Sequence, residues 1–529
     1  MPVDSSEQVP LLQEAKVKKG CCSTDPKKQC CSSNRPLTIS TQGTQNDQDD
    51  PNNYCHLANQ PWKYKCLALA CVLLLSVGSH FSAHTLGAMK SIIKTEYGIS
   101  NSQYGALQSS VSIVNTILPL IGGIFLDAFG TNTGSILTTV LIASGNILVA
   151  ASASSANLSM MITGRILYGI GSGTVVIVQE TILSQWFNGQ SYAIVVAIML
   201  SVSRASSFLA QFTVIPIAEW TGWYGYGLWF AAGLCILSFV VNLMYLALLR
   251  QVSDVSASHC RTQIAVVKRQ RSFKWSKLLY LPHSYWLVFA MEFLLGGAWG
   301  CFLHINSELV KFRFDYDPRR AASVGSVAQV APIFVMPVLG LFIRWFGKRT
   351  WLMIGSGLTF LFSLILLGYT YVNPVVGMFL FSLSLAFGPV SLVSSVPVIL
   401  PFSLVGTGMG LIKSGTNIGA SLFDITTGFL QDADQHKGYT GVIIFFIAIG
   451  ILSTLCGVVL FILDRTLYHN ILDQSARTVK SNEDCGETVP QPVVPKMTTK
   501  LKANWFYGGV YVFLAIISWI LFFRFVLFP

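Results

Sequence analysis

Long apolar runs separated by short polar breaks organise this chain. Six fall in the first half, at Cys66 to Ala88, Tyr104 to Leu126, Gly134 to Ala153, Leu158 to Glu180, Ser191 to Pro216 and Tyr226 to Leu249. Six more fall in the second, at Ser284 to Leu309, Ala322 to Trp345, Trp351 to Tyr371, Val375 to Leu400, Val405 to Leu430 and Val442 to Leu463. A helix needs roughly 20 apolar residues to cross a hydrocarbon core about 30 Å thick, and each run meets that length. Along such a run only a helix satisfies the backbone's hydrogen bonds from within. The pattern therefore predicts an all-α membrane protein with 12 transmembrane helices in two six-helix bundles. A further apolar run, Phe506 to Val526, carries so little charge that a spanning helix is favoured over one lying in the interface.

The polar stretches set the limits of the parts. A tail over 1–61 precedes the first bundle at 62–249, and a linker at 250–283 leads to the second bundle at 284–465. A second linker, 466–505, leads to the extra helix at 506–529. The tail is rich in Ser, Gln, Asn and Asp, a disordered composition, and lacks the charged-then-apolar start of a signal peptide. The first linker carries Arg250, Arg261, Lys268, Arg269, Arg271, Lys274 and Lys277 against the single acid Asp254, which places it in the cytoplasm. With six spans per half, the N-terminus and the segment after Arg465 share that side.

Composition narrows the picture. Only 11% of residues are charged and 52% are hydrophobic, whereas soluble domains carry about a quarter charged residues. The formal charge of +11 lies in short segments flanking the spans and reads as topology, not nucleic-acid binding. The 12 cysteines form no disulfide framework. Cys66, Cys71, Cys235, Cys301 and Cys456 lie in or beside spans, while the pairs Cys21–Cys22 and Cys30–Cys31 sit in the tail, either unmodified or palmitoylated. Histidines at ligand spacing are lacking, so no metal is expected. Neither a nucleophile–base pairing nor a phosphate loop is present, so no enzyme activity and no cofactor are expected.

One repeat ties the halves together. Gly123-x-x-x-Asp127-x-x-Gly130 follows the second span, and Gly340-x-x-x-Arg344-x-x-Gly347, continued by Lys348 and Arg349, follows the eighth. Matched glycine–charge segments at one ordinal place in two six-span halves point to a parallel repeat, and to a latch at the cytoplasmic face. These segments resemble the loop signature of the major facilitator superfamily, with Ala128, Thr131 and Asn132 in place of the first copy's basic residues. The fourth span's Gly164-Arg165-x-x-x-Gly169-x-Gly171-x-Gly173 also resembles a superfamily motif, whereas the fifth lacks the Gly-Pro series of drug–proton antiporters.

A narrower resemblance covers nearly all of the twelve-span region. Gly164 to Phe187, ending Ser-Gln-Trp186-Phe187, then Leu200-Ser-Val-Ser-Arg204 and Val405-Gly406-Thr407 through Asn417-Ile-Gly419, are similar to the lysosomal dipeptide carriers called major facilitator superfamily domain-containing protein 1. The resemblance implies the major facilitator fold, facilitative export of dipeptides from lysosomes, and association with a glycosylated accessory membrane subunit. The glutamate of that family's fourth helix falls at Gly173 here, with Glu180 two turns on, and the tryptophan of its tenth helix falls at Val393.

Candidate chemistry lies in the few charges inside spans. Arg204 stands about 20 Å into the fifth span, where an unpaired charge costs at least ~2.5 kcal/mol. It either holds a substrate carboxylate in bidentate fashion or pairs with Glu180 or Glu292. Glu292 could take an amine, a proton or an arginine partner. His80 and His84, one turn apart on one face, are candidates for lining the path or shuttling protons. Gln211, Trp299, His304, Asn417 and Lys413 are weaker candidates for the substrate-facing wall, and Arg165 for a packing or gating contact. The expectation is alternating-access transport of a small carboxylate-bearing solute, a dipeptide or amino acid, facilitative or proton-linked. A non-transporting membrane sensor or scaffold and a sugar carrier are the alternatives. Glu7, Leu11 and Leu12 in the tail are similar to an adaptor-read sorting signal, which favours a lysosomal or vacuolar membrane over the plasma membrane.

Overall fold

Short polar signals set where many helices begin. Asn157 caps the helix Leu158–Trp186 by accepting from the Met160 amide at 3.0 Å. Asp317 and Asn373 cap the helices Pro318–Ser326 and Pro374–Ile399, each followed by a proline in the first turn, and Ser100 with Gln103 forms a capping box at the start of Asn101–Val114. The computed structural model describes residues 57, 60–187, 190–253, 281–400, 402–434, 438–468, 470–475 and 503–527, with the backbone alone at 120–130, 190, 193, 253, 402, 403 and 527.

In chain order the helices are α1 (Trp62–Leu75), α2 (Val77–Ala88), α3 (Lys90–Tyr97), α4 (Asn101–Val114), α5 (Leu118–Ser155), α6 (Leu158–Trp186), α7 (Gln190–Thr221) and α8 (Gly225–Ser253). They continue as α9 (His283–Met291), α10 (Gly297–Phe314), α11 (Pro318–Ser326), α12 (Val330–Phe346), α13 (Arg349–Tyr369), α14 (Pro374–Ile399), α15 (Phe402–Ala433), α16 (Thr440–Leu467) and α17 (Ala503–Leu527). No strand occurs among the described residues. Eleven of the described helical segments are long and apolar enough to cross a membrane. α15 has spanning length at 32 residues but carries Lys413, Asp424 and Asp432. Ile194, Leu209, Phe212, Leu237, Met244, Phe362, Leu455 and Ile462 all point outward and exposed, as a bilayer solvent requires.

Four spans depart from single straight helices. Ser76 interrupts the first, where the Gly78 amide donates to Ser238 Oγ at 3.1 Å and a Cβ on Gly78 would lie 2.6 Å from the backbone of Cys235. A turn at Asn115–Ile117 interrupts the second, and α5 then runs for 38 residues through 123–130, where a loop is expected from the sequence. The helix continues although Gly123, Asp127, Gly130 and the polar 131–135 that follow are weak helix formers. The seventh span contains a π turn at Glu292–Gly296, and the eighth a 3₁₀ turn at Val327–Gln329. The breaks thus fall in the first and second spans of each half.

α17 lies across both halves. Asn504 accepts from Trp286 Nε1 and donates to the Leu281 carbonyl, each at 2.9 Å, at the start of α9. Further along, Tyr511 shares a 2.6 Å hydrogen bond with Ser414 of α15, and Trp519 Nε1 donates to Thr116 Oγ1, just past α4, at 3.1 Å. Ser414 also donates to the Thr116 carbonyl. The helix therefore runs beside the spans from the linker end past their midpoint.

Candidate functional site

The two helix breaks of the second half present polar groups at the middle of the seam between the halves. Gln329 closes the 3₁₀ turn, and its Oε1 lies 3.5 Å from Arg204 Nη1 on α7. No ion pair among the described residues involves Arg204. Arg204, His80, Arg165 and His304 all lie near enough to His84 to act on it electrostatically. Glu292, 3% exposed, opens the π turn and accepts from Thr416 Oγ1 at 3.3 Å through Oε1. Lys413 acts electrostatically on both Glu292 and Glu180. The atoms His80 Nε2, His84 Nδ1, Gln329 Nε2 and Glu292 Oε2 are buried and have no hydrogen-bond partner among the described residues. Buried polar atoms are nearly always satisfied, so these four make the midline a candidate site.

Toward the end opposite the basic linker, the seam is closed by satisfied charges. Lys90, 1% exposed, pairs with Glu308 at 2.7 Å, and Lys94 reaches the other oxygen of Glu308 at 3.1 Å. Lys90 also donates to Gln431 at 2.7 Å and Tyr439 at 3.1 Å, and Tyr439 donates to Glu308. Asp432 accepts four hydrogen bonds at the start of α4, from the amides and side chains of Asn101 and Ser102 at 2.6–3.1 Å. The positive end of the α4 dipole faces that carboxylate. Burial pushes the Asp432 pKa up, but the Ser102 and Asn101 donors outweigh it and hold the group below the ordinary aspartate range. Glycines let the halves meet: a Cβ on Gly105 would lie 2.3 Å from the Asp424 carbonyl, and one on Gly87 2.8 Å from that of Leu303.

Comparison with known proteins decides the family. The profile described as Major Facilitator Superfamily matches residues 72–424, two-thirds of the chain. The chain belongs to the major facilitator superfamily. It is 26% identical over 425 residues to the human protein named lysosomal dipeptide transporter MFSD1, covering 78% of this chain and 89% of that one. The Danio rerio protein of that name is 24% identical over 433 residues, covering 78% and 88%. A solved peptide transporter, titled POT in complex with sulfate, has the same fold at a TM-score of 0.59 and 14% identity, covering 77% of this chain and 96% of that one.

Within this superfamily member, the residues singled out from sequence separate by where the fold puts them. Arg204, His80, His84 and Glu292 belong to the midline, Glu180 lies in the last turns of α6, and neither Glu180 nor Glu292 forms an ion pair with Arg204 among the described residues. Asn417 donates within α15 to the Lys413 carbonyl at 2.7 Å. Gln211 donates across the seam to the Leu303 carbonyl at 3.3 Å, and His304 pairs with Asp424 at 2.9 Å. Trp299, expected on the substrate-facing wall, is buried in the second half's core instead, donating to Ser384 at 3.0 Å and packed on Gly388. Its indole is accommodated because position 388 has no side chain.

The gating residues divide as well. Arg165, grouped with the latch from sequence, lies in a different network: it donates to Gln108 at 2.8 Å, Gln108 to Tyr104 at 2.6 Å, and Tyr104 to the His304 carbonyl at 3.3 Å. The segment holding Gly340, Arg344 and Gly347 ends α12, and Gly347, at φ 70°, is met by residues 473–474. Asp473 accepts from the Thr350 amide at 3.0 Å and from its hydroxyl at 2.7 Å, so this copy is held by the start of the linker that follows its own half. The side chains of Gly123, Asp127 and Gly130, with Glu7, Leu11, Leu12 and Cys21, Cys22, Cys30 and Cys31, lie outside the described residues. Sequence reasoning missed Lys90, Glu308, Asp424, Asp432 and Tyr439. The signal for three of them was present, as acids at 308, 424 and 432 in or at the ends of long apolar runs.

Proposed function

We propose that this protein carries a small organic solute with a carboxylate, a dipeptide or an amino acid, across a lysosomal membrane by alternating access. The observation that supports this most is Arg204, a mid-span guanidinium with no acid partner among the described residues. A permanent charge without a counterion is costly at that depth, and a transported carboxylate supplies the counterion while the carrier is loaded. Gln329 from the other half, with His80 and His84, gives the same anion further donors. Closure of the site then draws the two halves together around it. The relatives named lysosomal dipeptide transporters support both the solute class and the membrane. In the alternating cycle the Lys90–Glu308 and Asp432–α4 contacts break to admit solute from the lumen and re-form behind it.

Uptake of labelled L-alanyl-L-alanine into proteoliposomes tests this reading. Saturable uptake is expected, with Arg204→Ala raising KM by roughly 100-fold, the value of a charge-assisted bidentate contact of about 3 kcal/mol. Arg204→Lys keeps the charge but loses the fork and falls between. An imposed pH step reads proton coupling. Unchanged uptake in Arg204→Ala sinks the carboxylate anchor.

A further inference from the structure

We propose that α17 is a built-in brake: it bridges the two halves at the break in the second span and favours the state closed at the end away from the basic linker. This rests on the alternating-access reading above, since only a protein with two states has one to favour. α17 lies beyond the segment, 72–424, that the superfamily profile matches. It is divided between two cores. Near its start, Asn504 bonds the beginning of α9, and Tyr511 lies in the apolar core of the second half, its ring centroid 5.9 Å from that of Phe289. Toward its other end, Phe522, 2% exposed, lies in the first half's cluster with Tyr104 and Leu107 of α4. Ile425 of α15 belongs to the same cluster, so Phe522 is buried where the halves meet. A helix buried in both cores adds apolar contact between them only while they keep this relative position.

The polar contacts converge on the break itself. Thr116 lies between the end of α4 at Val114 and the start of α5 at Leu118. Its carbonyl accepts from Ser414 of α15, and its Oγ1 accepts from Trp519 Nε1 at 3.1 Å. Ser414 in turn shares a 2.6 Å hydrogen bond with Tyr511, which closes a ring of contacts between α15, α17 and the break. From another side, α6 approaches so closely that a Cβ on Gly173 would overlap the side-chain oxygen of Asn115. A few residues between helices are where a span absorbs a change of direction. Here those residues are held by three helices, and one of the three is α17. The direction of the bias follows from what α17 buries. Tyr104, in the Phe522 cluster, has Lys90 of the Lys90–Glu308 closure 5.3 Å from its ring. Opening that closure draws α4 from α15 and splits the cluster around Phe522, whereas the present state keeps it whole. Contacts made in one state and lost in the other shift the balance toward the first.

A distance measured across the closure tests the proposal in the purified full chain. Spin labels at cysteines replacing Glu96 of α3 and Arg319 of α11, exposed positions on opposite halves, report opening at that end once the chain's other reactive cysteines are replaced. The short distance is expected to dominate in this labelled parent. Trp519→Phe combined with Phe522→Ala unhooks α17 from the first half and leaves Asn504 and Tyr511 in place. It is expected to raise the long-distance population at least about fivefold. Trp519→Phe alone moves the population the same way by less, and it decides the matter if the double variant fails to fold. Uptake of L-alanyl-L-alanine by the same proteins separates the two readings. A distance shift without uptake by any of them keeps the brake and removes the solute. An unchanged distance distribution in the variants overturns the brake, whether or not the dipeptide is taken up. A shift toward the short distance means that α17 favours the other state, and overturns it as well.

Discussion

The seam between the halves has two polar layers that use charge in opposite ways. At the end away from the linker, Lys90, Lys94, Glu308, Tyr439 and Asp432 are matched to one another and to the start of α4. At the midline, Arg204 has only a 3.5 Å contact to Gln329, while His80, His84 and Glu292 keep buried atoms without partners among the described residues. A matched buried charge holds a conformation, and removing one partner is costly because the other is left stranded. An unmatched one weakens the empty protein and is retained where a ligand completes it. The first layer is a closure and the second a receptor, though both are built from the same residue types at similar depth in the fold.

The contrast can be broken in order of effect. Lys90→Met leaves Glu308 with the Tyr439 hydroxyl and the partly exposed Lys94 as its one counterion, and should lower stability by about 3 kcal/mol, read by denaturation in detergent. A loss below ~0.5 kcal/mol would mean the closure is not held by charge. Asp432→Asn keeps the shape but loses the charged acceptor at the helix start, at a cost of about 1–2 kcal/mol.

The pH response of Asp432 follows from its lowered pKa. A depressed carboxylate contributes stability that is present above its unfolded value and disappears as pH falls through the folded one. The closure should therefore hold from neutral pH to about pH 5, read as the same destabilisation by Asp432→Asn at about pH 7 and at about pH 5. A destabilisation that shrinks across this interval would contradict the Asp432 contact.

Trp519→Phe removes one hydrogen bond from α17 to Thr116 and should cost about 1 kcal/mol. Because α17 touches both halves, the same change should raise the maximal uptake rate if this contact resists the rocking motion. An unchanged rate would confine α17 to a static role.

What was legible in the sequence and what was not divides along the same line. The spans follow from local hydropathy, and Arg204 stands out because a lone charge in an apolar run is visible without knowing its neighbours. The closure was invisible because its members meet only in three dimensions: Lys94 and Glu308 are 214 positions apart. The π turn was equally hidden, since it depends on α15 passing close enough for Gly419 to reach the Phe293 carbonyl. Trp299 misled for the opposite reason. It was a candidate for the substrate-facing wall, but whether it faces the seam or the core was decided by Gly388, 89 positions later. The expected loop at 123–130 is helix instead, because a glycine–charge pattern specifies no turn by itself and an apolar span tends to keep its backbone bonds within a helix.

Ligand-dependent melting of Arg204→Ala beside Lys90→Met tests the central claim most directly. The account predicts that Arg204→Ala melts at or above the wild-type temperature when empty and gains nothing from L-alanyl-L-alanine. Lys90→Met should melt lower when empty yet still be stabilised by the dipeptide. If Arg204→Ala melts lower and retains the dipeptide shift, Arg204 is a structural charge and the distinction between closure and receptor is wrong.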